Sequence, residues 1–509
     1  MSSTFYITTP IYYPNGDPHL GSVYTTVICD AVARYHRGKG EETYFLTGTD
    51  EHGTKLAKAA AEAKVEPQQL VDRYAKVFED LWKELEITNN DFIRTTQSRH
   101  KQAVAKIVEK MLSTGDIYLG AYEGWYDEGQ EQFVTETEAK AAEFKSTISG
   151  RPLVRYKEPT YFFKLTKYVP QVIAHIEANP EFIIPQSRRN EVLSKLRAGV
   201  EDLSISRATL TWGIPLPNDP SHVIYVWIDA LTNYITALGY ASENDSLYRK
   251  FWPGYHVIGK DILWFHTVYW PAMLLSIGES LPKQVIAHGW WTAEGKKMSK
   301  SLGNVIDVAK IRSISATHSL DAVRYYILRA APFGSDLDWS EVDFNKAFNE
   351  LANVVGNCLN RTIKMIAKKC GGAIPQAGGL EQIDRDLMAR NEALGQELDR
   401  AYEAFELQQA AVLPVELARA TNGYIDATQP FKEPNPERVN TVLNLAAQSI
   451  KNALVALVPI LPEKAAAGLS QLNVEVGGKT LTELLTTPLA VGHRLGEGQP
   501  LFPKVETKP

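Results

Sequence analysis

The sequence predicts an α/β chain in which a doubly wound parallel sheet is interrupted by an inserted domain and followed by an all-α helix bundle. Short β-prone runs at residues 4–9, 43–49 and 285–289 each lead into a polar loop, which is typical of strands in a parallel sheet. Residues 119–185 change to aromatic, β-prone segments, which indicates the insertion. From about residue 345 apolar residues recur every three or four positions, which predicts the bundle.

Length, charge and cysteine content limit the possible classes of protein. A chain of 509 residues is too long for one hydrophobic core. The formal net charge of −6 argues against a surface coated with basic residues for indiscriminate nucleic-acid binding, although it leaves room for a local basic face. Three cysteines without paired or metal-ligand spacing predict neither a disulfide framework nor a metal site. Because no apolar run is long enough to cross a bilayer and the first residues lack a secretory pattern, we expect a cytoplasmic enzyme with no membrane contact.

The first candidate site lies where strand 4–9 gives way to a helix. A turn-rich segment separates this strand from residues 19–22 (H-L-G-S), and a helical pattern then runs to about Arg37. The N-terminus of a helix offers free backbone N–H groups and the positive end of its dipole, which suits a phosphate. His19 can add a donor, and Gly21 lets a nucleotide approach the backbone closely. The alternative interpretation is an ordinary loop that caps the helix.

The next strand, 43–49, delivers the polar residues 50–53 (D-E-H-G) to the carboxyl edge of the sheet, where open α/β sheets bind ligands. Further elements are predicted in order: helices over 55–86 (broken at Pro67) and 98–112, and strands over 223–230 and 256–259.

A second candidate site follows the last predicted strand, 285–289. Residues 297–301 read K-M-S-K-S, so Lys297 and Lys300 can place two ammonium groups in one small region, where a polyphosphate is the natural counter-ion. Flanking glycines allow this loop to close and open. Because this loop and the one at His19 both leave the carboxyl ends of strands in one sheet, we expect them to meet. The alternative interpretation is a solvated basic loop.

Four helices are predicted after residue 345, over 345–369, 382–404, 407–426 and 436–458. The Gly- and Pro-rich tail after residue 490 is either packed or loose. The expected domains are 1–118 and 221–293 for the two halves of the sheet domain, 119–220 for the insertion, 294–345 for the region of the K-M-S-K-S loop, and 346–509 for the bundle.

Several blocks of this sequence resemble one family. Residues 19–22 together with 297–301 resemble the signature pair of the class I aminoacyl-tRNA synthetases, with Ser22 where that class often has histidine. From near residue 5 to near residue 465 the chain is similar to the methionyl-tRNA synthetase family, through the blocks 12–21, 48–53, 225–230, 259–262 and 264–266. The resemblance implies a Rossmann-like catalytic domain with an inserted connective domain, followed by an anticodon-binding helix bundle.

The resemblance also implies an activity, in which methionine reacts with ATP to give methionyl-adenylate and is then transferred to the 3′ end of tRNA(Met). By position, the residues that would bind ATP are His19, Gly21, Ser22, Lys260, Asp261, Lys297, Ser299 and Lys300, and among them His19, Gly21, Ser22, Lys297 and Lys300 would serve catalysis. Those that would enclose methionine are Ile11, Tyr13, Asp50, Trp227, Ala230, Tyr234, Ile262 and His266. Asp50 would face the ammonium group, and a Tyr–His pair suits a thioether sulfur. A magnesium ion bound through ATP is expected, with no dedicated protein cage.

The resemblance implies a nucleic-acid partner for the bundle and no metal in the insertion. The bundle would read the CAU anticodon of initiator and elongator tRNA(Met) through Asn353, Asn357, Arg361 and Phe431. For the first three of these a polar solvated stripe is the alternative. Where relatives often bind zinc through C-x-x-C knuckles, this chain has Asp127, Gln130, Ser146 and Ser149, which are poor structural zinc ligands. We therefore expect a zinc-free single knuckle, and we expect the enzyme to act as a monomer.

Two other functions remain possible from the sequence. A different adenylate-forming enzyme, such as a synthetase for another apolar amino acid or a nucleotidyltransferase, would use the same phosphate elements. The lack of a large editing insertion and the anticodon-type bundle argue against it. A non-catalytic RNA-binding relative is the other possibility, but such a protein would not need His19, Asp50, Lys297 and Lys300.

Overall fold

The computed structural model describes residues 3–129, 132–134, 136–293, 296–297, 306–330 and 332–503. The chain forms two compact units, and each is described by itself below. The sheet unit comprises Thr4–Pro18 and Thr43–His288, and the bundle unit comprises the described residues of Met1–Ser3, His19–Glu42 and Gly289–Pro509. Among the described residues, no helix combines the length and apolar character that crossing a bilayer requires.

The elements before the insertion alternate between strands and helices. They are β1 (Thr4–Thr8), α1 (Leu20–Gly38), β2 (Glu42–Thr49), α2 (Thr54–Ala63), α3 (Pro67–Glu84), β3 (Asp91–Arg94) and α4 (Ser98–Ser113). The break predicted at Pro67 is confirmed, because Pro67 opens α3 at its first position, where the missing backbone N–H costs no helical hydrogen bond.

The insertion is mainly antiparallel. Its elements are β4 (Ile117–Asp127), β5 (Gln132–Val134), α5 (Glu136–Ala141), β6 (Val154–Phe163), α6 (Leu165–Ala178), β7 (Ile183–Ile184), α7 (Gln186–Ala198), β8 (Leu203–Ser204), β9 (Ser206–Arg207), β10 (Pro215–Leu216) and β11 (Asp219–Ile224). A long ladder joins β4 to β6, from Ile117 opposite Phe163 to Tyr126 opposite Val154. Strand β7 leaves the insertion and pairs with the main sheet instead.

A buried carboxylate fixes the root of the insertion. Asp116, just before β4, accepts hydrogen bonds from Lys167 Nζ (2.6 Å), Tyr168 Oη (2.6 Å), and the hydroxyls of Ser276 and Thr114 (both 2.8 Å). Burial alone would raise the pKa of Asp116, but these donors outweigh it and hold the pKa at about 2. The insertion therefore starts from a rigid, charged anchor.

The second half of the sheet unit completes a parallel sheet. Its elements are α8 (Val226–Thr236), α9 (Ser246–Phe251), β12 (Tyr255–Gly259), α10 (Trp270–Ser276) and β13 (Gln284–His288). The six strands stand in the order β3-β2-β1-β12-β13-β7. The chain builds outward from β1 on one side and returns on the other side with β12, so the strand order reverses between β1 and β12. In open α/β sheets that reversal marks the ligand-binding crevice. The predicted α/β class is confirmed.

The strand expected over 223–230 is wrong beyond residue 224. Val223 and Ile224 end β11, which pairs antiparallel with β9 and β10 and stays outside the six-stranded sheet. Residues from 226 onward form α8, whose side chains are buried on nearly every face. A helix buried all round shows no 3.6-residue periodicity, so its apolar run resembles a buried strand.

The bundle unit continues with small strands and then helices. Its elements after β13 are β14 (Trp291–Ala293), β15 (Lys296–Lys297), α11 (Val308–His318), α12 (Leu320–Arg329), β16 (Leu337–Trp339), α13 (Glu341–Glu350), α14 (Asn357–Lys369), α15 (Gln382–Glu403), α16 (Leu407–Thr428), α17 (Pro436–Leu457), α18 (Pro462–Gln471) and α19 (Leu481–Thr486). A π-helical turn over Leu351–Gly356 joins α13 to α14. The helices predicted after residue 345 are confirmed. As far as residue 503, the tail after residue 490 packs, since Leu501 and Phe502 are buried.

A buried ion pair ties α1 to the helices of the same unit. Arg324 Nη2 donates to Asp30 Oδ2 (2.6 Å), and its Nε donates to the backbone carbonyl of Ile460 (3.0 Å). Arg34 Nε donates to the same Asp30 oxygen (2.7 Å). Because a buried charge needs a partner, this arrangement holds α1 in one position along the bundle.

Candidate active site

The N-terminus of α1 is closed by a reciprocal pair of hydrogen bonds. His19 is the N-cap, and its Nδ1 accepts from the backbone N–H of Gly21 (3.1 Å), while Ser22 Oγ accepts from the backbone N–H of His19 (3.1 Å). Ser22 Oγ also donates to the His19 carbonyl (3.0 Å). Because Nδ1 accepts, a neutral His19 ring carries its proton on Nε2, which makes Nε2 a donor. The exposed His19 ring thus offers a donor at the helix terminus, while the backbone N–H groups of Leu20 and Gly21 already donate to the Ile306 carbonyl and to Nδ1.

Gly21 is required by the position of the His19 ring. A Cβ atom at residue 21 would lie 2.9 Å from His19 Cε1 and 3.1 Å from Nδ1. Any side chain there would push the ring away from the capping position. The sequence suggested only that Gly21 allows close approach of a ligand, so the structure adds a second reason for glycine.

The chain leaving the second signature returns to this helix terminus. Trp291–Ala293 (β14) pairs with Lys296–Lys297 (β15), which places the backbone of Lys297 opposite Thr292. Residues 298–305, including Ser299 and Lys300, lie outside the described part of the chain. Immediately after them, the carbonyl of Ile306 accepts from the backbone N–H of Leu20 (3.0 Å), and Asp307 forms a β-bridge with His19. Residues 19–20 and residues 306–307, which are far apart in sequence, therefore lie side by side within the bundle unit.

In the sheet unit, β2 ends in three consecutive buried polar side chains. Asp50, Glu51 and His52 are only 4 %, 0 % and 3 % exposed. The backbone N–H of Asp50 donates to the carbonyl of Tyr12 (2.9 Å), which continues the pairing of β1 with β2. This places the Asp50 carboxylate at the carboxyl edge near the point where the strand order reverses.

The neighbours of Asp50 are held by separate polar networks. Glu51 Oε1 accepts from Arg94 Nε (2.6 Å) and from the hydroxyl of Thr49 (2.7 Å), and Thr96 donates to its other oxygen. Trp212 Nε1 donates to the backbone carbonyl of Glu51 (2.7 Å). His52 takes part in a different cluster, described below. Asp50 is thus flanked by a residue that is fixed through both its side chain and its backbone.

Four of the eight predicted methionine-binding side chains share one apolar cluster. Tyr234 belongs to the buried core of the sheet unit, and Ile11, Trp227 and Ile262 pack against that core as partly buried side chains. The Trp227 indole stacks on Phe265 with ring centroids 3.7 Å apart. Tyr13 packs elsewhere, beside Leu56 and Ala60, with Lys55 Nζ 4.8 Å from its ring centroid.

A hydrogen-bond chain fixes the proton positions in this cluster. His266 lies in a π-helical turn, Phe265–Tyr269, and its Nδ1–H donates to the carbonyl of Ile262 (2.9 Å). Its Nε2 must then accept from the Tyr234 hydroxyl (2.7 Å) when the ring is neutral. Behind Tyr234, His256 stacks on the phenol ring at 3.9 Å and accepts from Trp270 Nε1 (3.2 Å).

Burial keeps both histidines neutral. It lowers the pKa of His266 to about 4, although the Ile262 carbonyl and Asp261 oppose the shift. Burial and the neighbouring His266 lower the pKa of His256 well below its usual range. This cluster is therefore an uncharged surface of aromatic and imidazole rings at neutral pH.

The remaining predicted residues lie at three other places. Lys260 and Asp261 form a 3₁₀ turn directly after β12, at the carboxyl edge, where a Cβ on Gly259 would lie 2.5 Å from Asp261 Oδ1. Asn353 and Asn357 are exposed at the π-helical turn and the start of α14. Arg361 Nη2 donates to Asp426 (2.6 Å), and Phe431 is exposed with Lys432 Nζ 5.7 Å from its ring centroid.

The knuckle of the insertion is closed by side-chain to backbone hydrogen bonds. Asp127 Oδ1 accepts from the N–H of Gly129 (2.8 Å), and Ser146 Oγ accepts from the N–H of Ser149 (3.1 Å). Gln130 lies outside the described residues. Within the described part of the chain there is no group of three or more His, Cys, Asp or Glu side chains able to hold a metal ion.

Sequence reasoning missed the buried polar networks around residues 50–52. Their partners lie far away along the chain, with Arg94 in β3 and Asp229 in α8. The run of three polar residues directly after a buried strand was the available sign, because such residues need partners if the strand end is buried.

The neutral histidines predict a specific dependence of stability on pH. The pKa of His266 is about 4 in the folded chain and its ordinary value is 6.5, so the unfolded chain binds more protons between these values. Stability contributed by the neutral ring is complete above that window and is lost as the pH falls through it. Between pH 7 and pH 5 the loss from His266 is on the order of 2 kcal/mol. We expect His266→Gln to reduce the drop in the urea midpoint between these pH values. The control is His36→Gln, which removes a half-buried imidazole. If the urea midpoint fell equally between pH 7 and pH 5 in His266→Gln and in the unmodified chain, the neutral state assigned to His266 would be contradicted.

Comparison with known proteins agrees with this geometry. The family model described as tRNA synthetases class I (M) matches residues 5–142 and 137–363. The chain is 43 % identical over 528 aligned residues to the methionine–tRNA ligase of Bacillus subtilis, covering 100 % of this chain and 79 % of that protein. It is 44 % identical to the methionine–tRNA ligase of Clostridium acetobutylicum, covering 99 % of this chain and 78 % of the relative.

Solved structures give the same result. Mycobacterium tuberculosis methionyl-tRNA synthetase in complex with methionyl-adenylate superposes with a TM-score of 0.94 at 37 % identity, covering 99 % of this chain and 100 % of that one. The apo form of the same enzyme superposes with a TM-score of 0.88 at 34 % identity, covering 100 % of this chain and 99 % of that one. The chain belongs to the methionine–tRNA ligase family of class I aminoacyl-tRNA synthetases.

Proposed function

We propose that the chain activates methionine with ATP to form methionyl-adenylate and then transfers the methionyl group to the 3′ end of tRNA(Met). The observation that carries this proposal is the pairing of His19 and Leu20 with residues 306–307, because it returns the chain to the first signature a few residues after the second signature ends. A helix N-terminus, an imidazole donor and two lysines form a site for a triphosphate rather than for an apolar ligand.

The proposed ATP site uses the donors of α1 and the lysines of the second signature. His19 donates through Nε2, and Gly21 leaves room for the ring in that position. Ser22 acts mainly by holding the cap, because its hydroxyl bonds to the backbone of His19 in both directions. Lys297, Ser299 and Lys300 contact the phosphates, Lys260 adds a cation at the end of β12, and Asp261 accepts from a ribose hydroxyl. Magnesium bound through ATP neutralises phosphate charge.

The proposed methionine site combines a carboxylate with an uncharged pocket. Asp50 binds the ammonium group, since a buried anion at a strand end is suited to one cation. Ile11, Trp227, Ala230, Ile262, Tyr234 and His266 enclose the thioether, and Tyr13 closes the outer side. Because His266 is neutral, the pocket excludes charged side chains and accepts a soft, polarizable sulfur.

The proposed chemistry requires no protein nucleophile. The methionine carboxylate attacks the α-phosphorus of ATP in line with the departing pyrophosphate, and the terminal hydroxyl of tRNA then attacks the activated carbonyl and displaces AMP. Negative charge grows on phosphoryl oxygens during the first step. Donors fixed by the α1 cap and the lysine ammonium groups stabilise that charge, so catalysis comes from positioning and electrostatics.

The activity is tested by methionine-dependent exchange of pyrophosphate into ATP. We expect exchange with methionine and none with leucine, isoleucine or cysteine. Lys300→Ala should slow adenylate formation roughly 100-fold or more with little change in methionine affinity, because its charge acts in the transition state. Lys76→Ala, at an exposed lysine of α3, is the control and should have no effect.

Two results would contradict this assignment. Exchange with leucine instead of methionine would indicate a synthetase for another amino acid, and exchange with no amino acid would remove the enzymatic function. Equal losses of methionine affinity and adenylation rate in Lys300→Ala would exclude a role confined to the transition state.

We also propose that the exposed face around α14 and Phe431 binds the anticodon. Asn353, Asn357 and Arg361 supply donors and acceptors for base edges, and the exposed Phe431 ring supplies a stacking surface. The ion pair with Asp426 orients the Arg361 guanidinium without burying it. Residues 346–509 are the anticodon-binding domain in this proposal.

Arg361→Ala tests the anticodon proposal. We expect kcat/KM for tRNA to fall about tenfold or more, because one base contact is lost, while pyrophosphate exchange stays unchanged. Arg419→Ala removes another paired arginine of the bundle, with Glu350 and Glu416 as partners, and should leave both activities unchanged. An equal loss in Arg361→Ala and Arg419→Ala would show that the effect is not specific to this face.

The inserted domain, 119–220, is proposed to be zinc-free. The oxygen atoms of Asp127 and Ser146 already close the turns that thiolates and zinc would otherwise close. Metal analysis of the purified chain should find no stoichiometric zinc, and one tightly held zinc per chain would overturn this proposal. The remaining domain bounds (1–118, 221–293 and 294–345), action as a monomer in the cytoplasm, and charging of both initiator and elongator tRNA(Met) stay predictions.

A further inference from the structure

A carboxylate and two imidazoles form a fully buried cluster in the sheet unit that the reaction described above does not use. Asp229, His52 and His100 are 1 %, 3 % and 0 % exposed. His52 Nδ1 lies 2.6 Å from Asp229 Oδ2, and His100 Nε2 lies 2.7 Å from Asp229 Oδ1. An ionised carboxylate can only accept, so each nitrogen donates. His100 Nδ1 lies 2.7 Å from the hydroxyl of Thr236, which ties the cluster to the last turn of α8.

The anionic state of Asp229 is maintained by its partners. Burial alone would raise its pKa, but the two histidines outweigh this effect and hold the pKa at about 2. Each carboxylate oxygen therefore has one imidazole N–H donor at every physiological pH. Such a cluster has a defined geometry, because a misplaced partner leaves a buried charge without compensation.

The cluster connects two parts of the proposed methionine site, the segment that carries Asp50 and the helix α8. His52 stands two residues after Asp50 in the same strand-end segment, while Asp229 stands on α8 between Trp227 and Ala230 and five residues before Tyr234. The hydrogen bond from His52 to Asp229 spans 177 positions of sequence. It joins the segment that carries the ammonium-binding carboxylate directly to the helix that carries the pocket wall.

We infer that Asp229, with His52 and His100, is a positioning residue that sets the spacing between the Asp50 carboxylate and the side-chain pocket on α8. An amino acid must reach both at once, so this spacing determines how long a side chain is accepted. The inference rests on the proposed function, because it assigns Asp50 and the α8 side chains to one substrate. The phosphate chemistry at α1 does not involve the cluster.

A purely structural role makes a different prediction from a positioning role. A structural carboxylate would affect unfolding and all kinetic constants alike, whereas a positioning carboxylate affects the methionine KM and the choice of side-chain length. Asp116 provides a matched control, since it is also 1 % exposed in the sheet unit and accepts several hydrogen bonds, including one from a charged lysine. It lies at the root of the insertion, outside the proposed methionine site.

The experiment compares Asp229→Asn with Asp116→Asn in pyrophosphate exchange with methionine and with ethionine, which is one methylene longer. For Asp229→Asn we expect the methionine KM to rise about tenfold or more with the ATP KM unchanged, because only one substrate depends on the spacing. The preference for methionine over ethionine should fall severalfold. Asp116→Asn should lower the thermal midpoint and leave the methionine KM and this preference unchanged.

Variants of His52 keep the inference testable if Asp229→Asn does not fold. Asparagine can present an amide N–H near the position of Nδ1, so His52→Asn should retain most of the methionine affinity, whereas His52→Leu, which has no donor, should lose it. Equal methionine KM values in His52→Asn and His52→Leu, or parallel changes in methionine and ATP KM in Asp229→Asn, would overturn the inference.

Failure of this inference is distinguishable from failure of the proposed function. If the unmodified chain shows no methionine-dependent exchange, the proposed function fails and the positioning role fails with it. If the unmodified chain is active and Asp229→Asn keeps the normal methionine KM and the normal discrimination against ethionine, only the positioning role fails.

Discussion

Compensation of buried charge directly after β2 is the constraint on which the placement of Asp50 in the sheet unit depends. Three successive polar side chains, Asp50 to His52, are almost inaccessible to water, and leaving any of them without partners would cost several kcal/mol. Arg94 satisfies Glu51, and Asp229 satisfies His52. These partners come from β3 and α8, so the strand end acquires a fixed position relative to both elements. Because Glu51 and His52 follow Asp50 directly in the chain, their partners also fix the position of Asp50.

The two units contain different electrostatic environments, a polar helix terminus in one and an uncharged aromatic cluster in the other. In the bundle unit the helix terminus at His19 exposes an imidazole ring to solvent, and the N–H groups of its first turn are held by His19 and by the chain returning at Ile306. In the sheet unit the aromatic pocket is kept neutral, with Tyr234 and His256 contributing their hydrogen-bonding atoms to fixed internal partners. A polyanion is suited to the first environment and a thioether to the second. The division follows from composition, because the first signature contains imidazole and hydroxyl side chains, whereas α8 is mostly apolar and almost wholly buried.

Local patterns predicted the regular elements well and the long-range partners poorly. The strands β1, β2, β12 and β13 and the long helices of the bundle were predictable because each shows its own periodicity or its own breaker residues. The helix α8 was misassigned because uniform burial removes periodicity. The capping role of Ser22 was available in principle from its place three residues after His19. The partners of Asp229 were not, because His52 and His100 meet it only after the sheet has formed.

The fixed tautomer of His266 has a consequence for inhibitor chemistry. Its Nδ1 proton is committed to the Ile262 carbonyl and its Nε2 lone pair to the Tyr234 hydroxyl, so the ring has no remaining in-plane site for an incoming group. A basic amine placed against this ring would find no free acceptor on it, because both ring nitrogens are already engaged. Compounds that bind the pocket should therefore be weak bases or neutral aromatics. For the weak bases among them, apparent potency should increase as the medium becomes more alkaline.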